Sequence, residues 1–290
     1  MRAGRAVRYP VRAVEGFSLA ALRTLLVRGP GAARKVVGET LRAATPPRSL
    51  HLVSPRALVR GFSSGSEVRL KVNDYHPGTT TPLERFIIAE LVLFFKPAIL
   101  LEVGTYRGST TRVLLDHTPG GSEIYTVDLP VGADPAAVRA GTDANLILNR
   151  EVGVAYKSHP RAGDVVQILG STFDDATWQK LPNDFDFIFI DASHSYEAVR
   201  NDTARAMKRL SKDGIMLWHD YIEGESQSNG VGRLIRELMA THADVLRCEG
   251  TQLAMKIPSH HLQEAQSRMS DLFRDEDYRA FPWLRSHSAK

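Results

Sequence analysis

The sequence predicts an α/β fold: a doubly wound, mostly parallel sheet of seven strands with an antiparallel terminal strand. Three observations predict it. From residue 99 onward, short apolar runs alternate with amphipathic ones, the rhythm of strand–helix units. FDFIFIDA, residues 185–192, is apolar along most of its length, as a strand covered on both faces is. ILLEVGTYRGSTT, residues 99–111, runs from a buried-type strand through a glycine-bearing turn into a helix start, the join where such sheets bring backbone against a ligand.

Residues 1–60 form a basic, Arg-rich N-terminal extension. They hold twelve Arg and Lys against two acids, Glu15 and Glu39, a charge of +10. The whole chain carries +4, so the other 230 residues carry −6 by difference. The positive charge thus belongs to the extension, and no nucleic-acid partner is expected of the folded body. Residues 61–82 read as a linker and cap loop, from GFSSGSE to NDYHPGTTTP. The longest apolar run, residues 87–95, is far short of the roughly 20 residues that span a bilayer. The single cysteine, Cys248, can form no intrachain disulfide and suits a reducing compartment, so a cytoplasmic location is expected.

The main domain is expected over residues 83–258. LERFIIAELVLFF puts Leu83, Phe86, Ile87, Leu91 and Phe94 on the buried side of a helix that Pro97 ends. AILLEV is the first strand, STTRVLLDH a helix, and EIYTVDL the second strand. Residues 134–150 read as helical. DVVQILG is the third strand and DDATWQKL a short helix before the strand at 185–192. SYEAVRNDTARAMKRLS places Tyr196, Val199, Thr203, Met207 and Leu210 on one helical face, with Gly214 as its cap. GIMLWHD is a strand, VGRLIRELMA a helix, and DVLRCEG and QLAMKI an antiparallel pair. Residues 259–290 read as a C-terminal helix and tail.

The turn after the first strand excludes two common ligand loops. Gly104 and Gly108 do not form G-x-G-x-x-G, and no Gly-Lys-Ser/Thr follows, so neither the dinucleotide nor the triphosphate cradle is present. What remains is an acid at the strand end, Glu102, with Gly104 for close backbone approach and Gly108 at the helix start. An acid there repels phosphate and welcomes a cation; S-adenosylmethionine carries a sulfonium and an ammonium. Asp128 ends the second strand about 20–25 residues on, the separation of a ribose-binding acid. Gly170 and Ser171 end the third strand, where they can face adenine.

At these residues the sequence resembles the class I S-adenosylmethionine-dependent methyltransferases. Within them it is similar to the group holding the catechol, caffeoyl-coenzyme A and macrocin-type sugar O-methyltransferases, methyltransferase family 24-like. Glu102-Val103-Gly104-Thr105-Tyr106-Arg107-Gly108 matches that group's loop, with Tyr106 where other methyltransferases carry a middle glycine. The resemblance covers residues 75–257 and implies a Rossmann-like methyltransferase sheet. It implies S-adenosylmethionine held by Glu102, Gly104, Tyr106, Gly108, Ser109, Asp128, Gly170, Ser171 and Asp191.

The second half of the resemblance is FIFIDASHSY and MLWHDY. In the resembled group, an Asp at the place of Asp191 and an acidic or amide pair at the place of His219 and Asp220 hold a divalent metal. Here the pair is His-Asp. Magnesium or manganese is the expected ion at Asp191, His219 and Asp220, although imidazole is a poor ligand for a hard cation and suits Mn²⁺, Fe²⁺ or Zn²⁺ better. His194 stands where the macrocin-type enzymes place a general base, and a neutral imidazole can accept a proton near pH 7. Asp191 and His194 are therefore the expected catalytic residues. The expected reaction is methyl transfer to a hydroxyl of a small molecule, with a sugar or glycosylated natural product preferred. The acceptor would sit against loops 73–82 and 221–230, and the chain is expected to form a homo-oligomer. Two other readings stay open at this point: a protein like the cephalosporin hydroxylases, and a cofactor-binding protein without catalysis.

Overall fold

The computed structural model describes residues 52–71, 76, 78–133, 151–222 and 230–270, all within a unit spanning His51–Lys290. The expected helix at 134–150, the chain before residue 52, most of the loop at 221–230 and the tail after 270 lie outside the described residues. The described elements, in order, are β1 (Leu52–Val53), α1 (Pro55–Gly61), α2 (Pro82–Phe95), β2 (Ile99–Val103), α3 (Ser109–His117), β3 (Glu123–Asp128) and α4 (Val154–Lys157). They continue with β4 (Val165–Leu169), α5 (Asp175–Trp178), β5 (Phe185–Ile190), α6 (Tyr196–Met207), β6 (Leu210–Trp218), α7 (Gly230–Met239), β7 (Val245–Cys248), β8 (Ala254–Lys256) and α8 (Ser259–Ser270).

One sheet of eight strands runs in the order β1-β7-β8-β6-β5-β2-β3-β4. Every neighbour pairing is parallel except those of β8, which is antiparallel to both β6 and β7. The sheet therefore has one strand more than the seven expected, and β1 is the addition. Leu52 and Val53 pair with Arg247 and Cys248, and α1 buries Ala57 and Leu58 beside Phe62. The expected boundary at residue 60 cuts through this helix. Two strand residues between His51 and Ser54 carry too little pattern to be read from sequence, whereas an unpaired backbone edge on β7 makes even a short pairing favourable.

Helices cover both faces, and the strands divide their side chains between two cores. Leu100, Phe187, Phe189, Ile215 and Leu217 face one; Leu101, Val103, Ile188, Ile190, Met216 and Trp218 face the other. This is the period-two alternation of the pleat. β2 pairs with β3 on one side and with β5 on the other. The chain thus reverses its winding direction at β2, and the crevice outside the carboxyl ends of β2 and β5 is where open α/β sheets bind ligands.

Two helix expectations need correction. Leu83 is 44% exposed rather than buried, because in the first turn of α2 it is Glu84 and Arg85 that face inward. Gly214 does not cap a helix. α6 ends at Met207; Leu210, expected on its face, opens β6 instead, and Gly214 lies inside β6, where a Cβ would stand 2.8 Å from the Phe185 carbonyl oxygen. Among the described residues, no helix is long and apolar enough to cross a membrane.

Candidate active site

The loop after β2 is braced before any ligand enters. Gly104 has φ +103°, donates its N–H to the Val127 carbonyl at 2.8 Å, and would place a Cβ 2.0 Å from the Asp191 carbonyl oxygen. Gly104 thus serves the approach of two strand ends to each other. Gly108 has φ +78° and lies against Gly153 and Tyr156, so it serves packing onto α4. Tyr106 occupies the left-handed region at φ +46°, a conformation that costs a non-glycine residue about 1–2 kcal/mol. Its N–H donates to Asp128 Oδ2 at 2.7 Å, while Leu129 N–H donates to Asp128 Oδ1 at 2.7 Å. The acid at the end of β3 is thereby aimed across the turn.

Glu102 lies beneath the loop. It is 1% exposed and accepts hydrogen bonds from Thr111 Oγ1 and, at 2.9 Å, from Thr126 Oγ1. The sequence placed this acid at the mouth; instead its carboxyl is buried beneath the loop, beside its register partner Thr126. Burial pushes its pKa up to about 8 against the pull of both threonines. Ser109 opens α3, and its buried Oγ has no hydrogen-bond partner among the described residues. Gly170 receives Thr177 Oγ1 where its Cβ would be, and Ser171 Oγ accepts the Phe173 N–H at 3.2 Å, so this pair forms a tight turn beyond β4.

The second cluster gathers at the ends of β5 and β6. Ile190 and Trp218 are register partners, so Asp191 and His219 emerge side by side. Ser195 caps α6, its Oγ accepting the Ala198 N–H at 3.3 Å. His219 Nδ1 lies 3.3 Å from Asp191 Oδ1 and 3.3 Å from Asp220 Oδ2. His194 Nε2 lies 2.7 Å from Asp220 Oδ2, and the His194 side chain is 36% exposed. Asp220 has φ +62°, so the backbone itself is bent to deliver this carboxylate. Trp218 and Tyr221 are buried beside it.

The two aspartates are pushed apart. Burial raises the pKa of Asp191, opposed by His219. Burial acts the same way on Asp220, but hydrogen bonds from His194 and His219 outweigh it and hold that carboxyl well below the usual range. At His219 burial works against the charge, while Asp191, Asp220 and Glu84 together raise the imidazole above its ordinary value. Groups whose surroundings separate them in this way are the normal material of acid–base sites.

Glu84 is the member the sequence reading missed. It stands in the first turn of α2, in a capping box with Thr81, and its Oε2 faces His219 Nε2 at 3.2 Å. Burial raises its pKa, yet His219 and the backbone donors of Gln252 and Thr81 bring it to about 2. The T-x-x-E pattern at residues 81–84 marks the cap in the sequence; a partner 135 residues away leaves no local signal. Gly230 was missed for the same reason. Its N–H donates to the His194 carbonyl at 3.0 Å, and a Cβ there would lie 2.0 Å from the Tyr196 nitrogen.

Asp191, His219 and Asp220 offer one ligand atom each, all within 4.8 Å of one another. Two carboxylate oxygens and one imidazole nitrogen suit a divalent metal of borderline hardness.

Residues 101–221 match the family profile described as a methyltransferase domain. This stretch is a methyltransferase domain. It begins within β2 and ends at Tyr221, so the methyltransferase domain includes both clusters, while Glu84 and Gly230 stand outside the matched stretch. The uncharacterized protein R132 of Acanthamoeba polyphaga mimivirus is 29% identical over 149 residues, which cover 50% of this chain and 62% of that protein. Among solved structures, the O-methyltransferase TomG from Streptomyces achromogenes, in complex with S-adenosylmethionine, aligns with a TM-score of 0.47 and 16% identity, covering 69% of this chain and 89% of TomG. The S-adenosylhomocysteine-bound Podospora anserina methyltransferase PaMTH1 aligns with a TM-score of 0.46 and 16% identity, covering 87% of this chain and 98% of PaMTH1.

Proposed function

We propose that this chain is an S-adenosylmethionine-dependent O-methyltransferase that acts on a hydroxyl of a small molecule, with His194 as general base. The observation that carries the proposal is the His194–Asp220 pair, 2.7 Å apart and partly open to solvent at the mouth beside Asp191. With Nε2 donating to a carboxylate, the ring's lone pair lies on Nδ1. His194 Nδ1 takes the hydroxyl proton of the acceptor, and Asp220 stabilises the imidazolium that results. Such general-base help is worth about 10²–10⁴ in rate.

The cofactor residues fit S-adenosylmethionine, which supplies an electrophilic methyl group when bound. Ser109 Oγ, buried without a partner among the described residues at the start of α3, would donate to the carboxylate of its methionine part. Asp128 would accept from the ribose hydroxyls, held in aim by Tyr106 and Leu129. Gly170 and Ser171 would border adenine, and Glu102 would brace the loop from below. Asp191, His219 Nδ1 and Asp220 would hold a divalent metal, whose charge would lower the pKa of a hydroxyl placed against it. A sugar or glycosylated natural product is the preferred acceptor, on the strength of the Asp191-x-x-His194 spacing.

Calorimetric titration with S-adenosylmethionine and with S-adenosylhomocysteine tests the cofactor; saturable binding of both is expected, and absence of both removes the proposal. Replacement His194→Ala is expected to leave that affinity within about threefold and to cut turnover by about 10²–10⁴. Undiminished turnover would refute His194 as the base.

A further inference from the structure

We infer that Glu84 is a positioning residue for the metal centre, holding His219 by its Nε2–H so that Nδ1 is the ring nitrogen turned toward Asp191 and Asp220, where a metal would take it. The inference rests on the metal reading above and reaches beyond it to a residue on a different helix, outside the matched methyltransferase stretch.

Glu84 is held as an acceptor before His219 is considered. Its Oε1 accepts the Gln252 N–H at 2.7 Å and its Oε2 accepts the Thr81 N–H at 2.7 Å. It is 1% exposed, so water does not compete for it. A carboxylate collecting two backbone donors from two loops has only acceptor capacity to offer, and Nε2 at 3.2 Å must bring the hydrogen. The other nitrogen then lies 3.3 Å from Asp191 Oδ1 and from Asp220 Oδ2. Without Glu84 the ring loses the partner that fixes Nε2 on the far side, and nothing from α2 would hold Nδ1 between the two aspartates. A carboxylate behind a ligating histidine raises the basicity of the ligand, and its loss typically lowers metal affinity by about 10–100-fold.

The test is calorimetric titration of the full chain with Mn²⁺, in the wild type, Glu84→Gln and Thr81→Ala. Gln preserves the capping box at this position, so E84Q keeps the helix start. T81A removes the capping hydroxyl and leaves the Glu84 carboxylate. The expected result is Mn²⁺ binding by the wild type, at least about tenfold weaker binding by E84Q, and unchanged affinity in T81A with a lower melting temperature. Equal affinity in E84Q and wild type would overturn the inference while leaving the metal centre intact. An equal loss in T81A would also overturn it, by assigning the effect to the helix cap. No Mn²⁺ binding by the wild type would remove the metal reading itself, a result distinct from both.

Discussion

Gly104 and Asp191 meet backbone to backbone: a Cβ on residue 104 would lie 2.0 Å from the Asp191 carbonyl oxygen. The loop after β2 and the Asp191 end of β5 are therefore one mechanical unit. The carbonyl of Val103 accepts the Asp191 N–H at 2.8 Å, which locks the same two strand ends from the other side. Gly104→Ala should force β2 and β5 apart and also place a side chain at φ +103°. A loss of about 3 kcal/mol or more is expected from overpacking and strain combined. Urea unfolding measures it, and a midpoint within error of the wild type would show that the contact yields easily.

Asp220 supplies both a carboxylate and a left-handed backbone turn, and two substitutions separate these. Asp220→Asn tolerates φ +62° and should fold as the wild type does, yet it removes the charge that stabilises a protonated His194. Turnover should fall by about 10² or more with cofactor affinity little changed. Asp220→Ala should lose the same activity and also about 1 kcal/mol of stability, because alanine resists that conformation. Comparable turnover in D220N and wild type would deny the dyad its role.

Glu102 predicts a pH dependence of stability. Its folded-state pKa of about 8 exceeds that of an unfolded glutamate, about 4.3, so the folded state binds the extra proton between those values. Stability from this group is complete below about pH 4.3 and is lost as pH rises through about 8. Glu102→Gln keeps acceptors for Thr111 and Thr126 but cannot ionise. Its melting temperature should therefore decline less than that of the wild type between about pH 5 and about pH 9. Parallel curves would place the Glu102 pKa outside this window.

Gly230 supports the turn that carries His194 through a 3.0 Å hydrogen bond and a contact with room for no side chain. Gly230→Ala should shift His194 without touching the cofactor loop. The expected signature is a drop in turnover of tenfold or so, with S-adenosylhomocysteine affinity unchanged, because misplacement of about an ångström is costly to catalysis. Loss of cofactor affinity in step with turnover would indicate a general disturbance instead.

Much of this arrangement was legible in the residues. The strands from β2 to β8 announced themselves by apolar runs, and Asp191, His219 and Asp220 were placed at one mouth by the simple rule that parallel neighbours end together. β1 was not legible, since a two-residue strand has no period. Nor was the depth of Glu102, which depends on the register between β2 and β3. Left-handed Tyr106 and Asp220 could not be foreseen either, because tyrosine gives no signal of a positive φ and aspartate, though enriched there, adopts it at only a small share of its positions.

By itself, then, the sequence determined the elements from β2 to β8, the doubly wound character of the sheet and which polar residues end its strands, because these follow from local periodicity and chain connectivity. Only the tertiary structure decided how those residues act on one another. It buried Glu102 under the loop, pressed Gly104 onto Asp191, and brought Glu84 behind His219 from 135 residues away. Hydrogen bonds of 3 Å and desolvation depend on atoms that meet in space, and the order of residues along a chain does not record which atoms will meet.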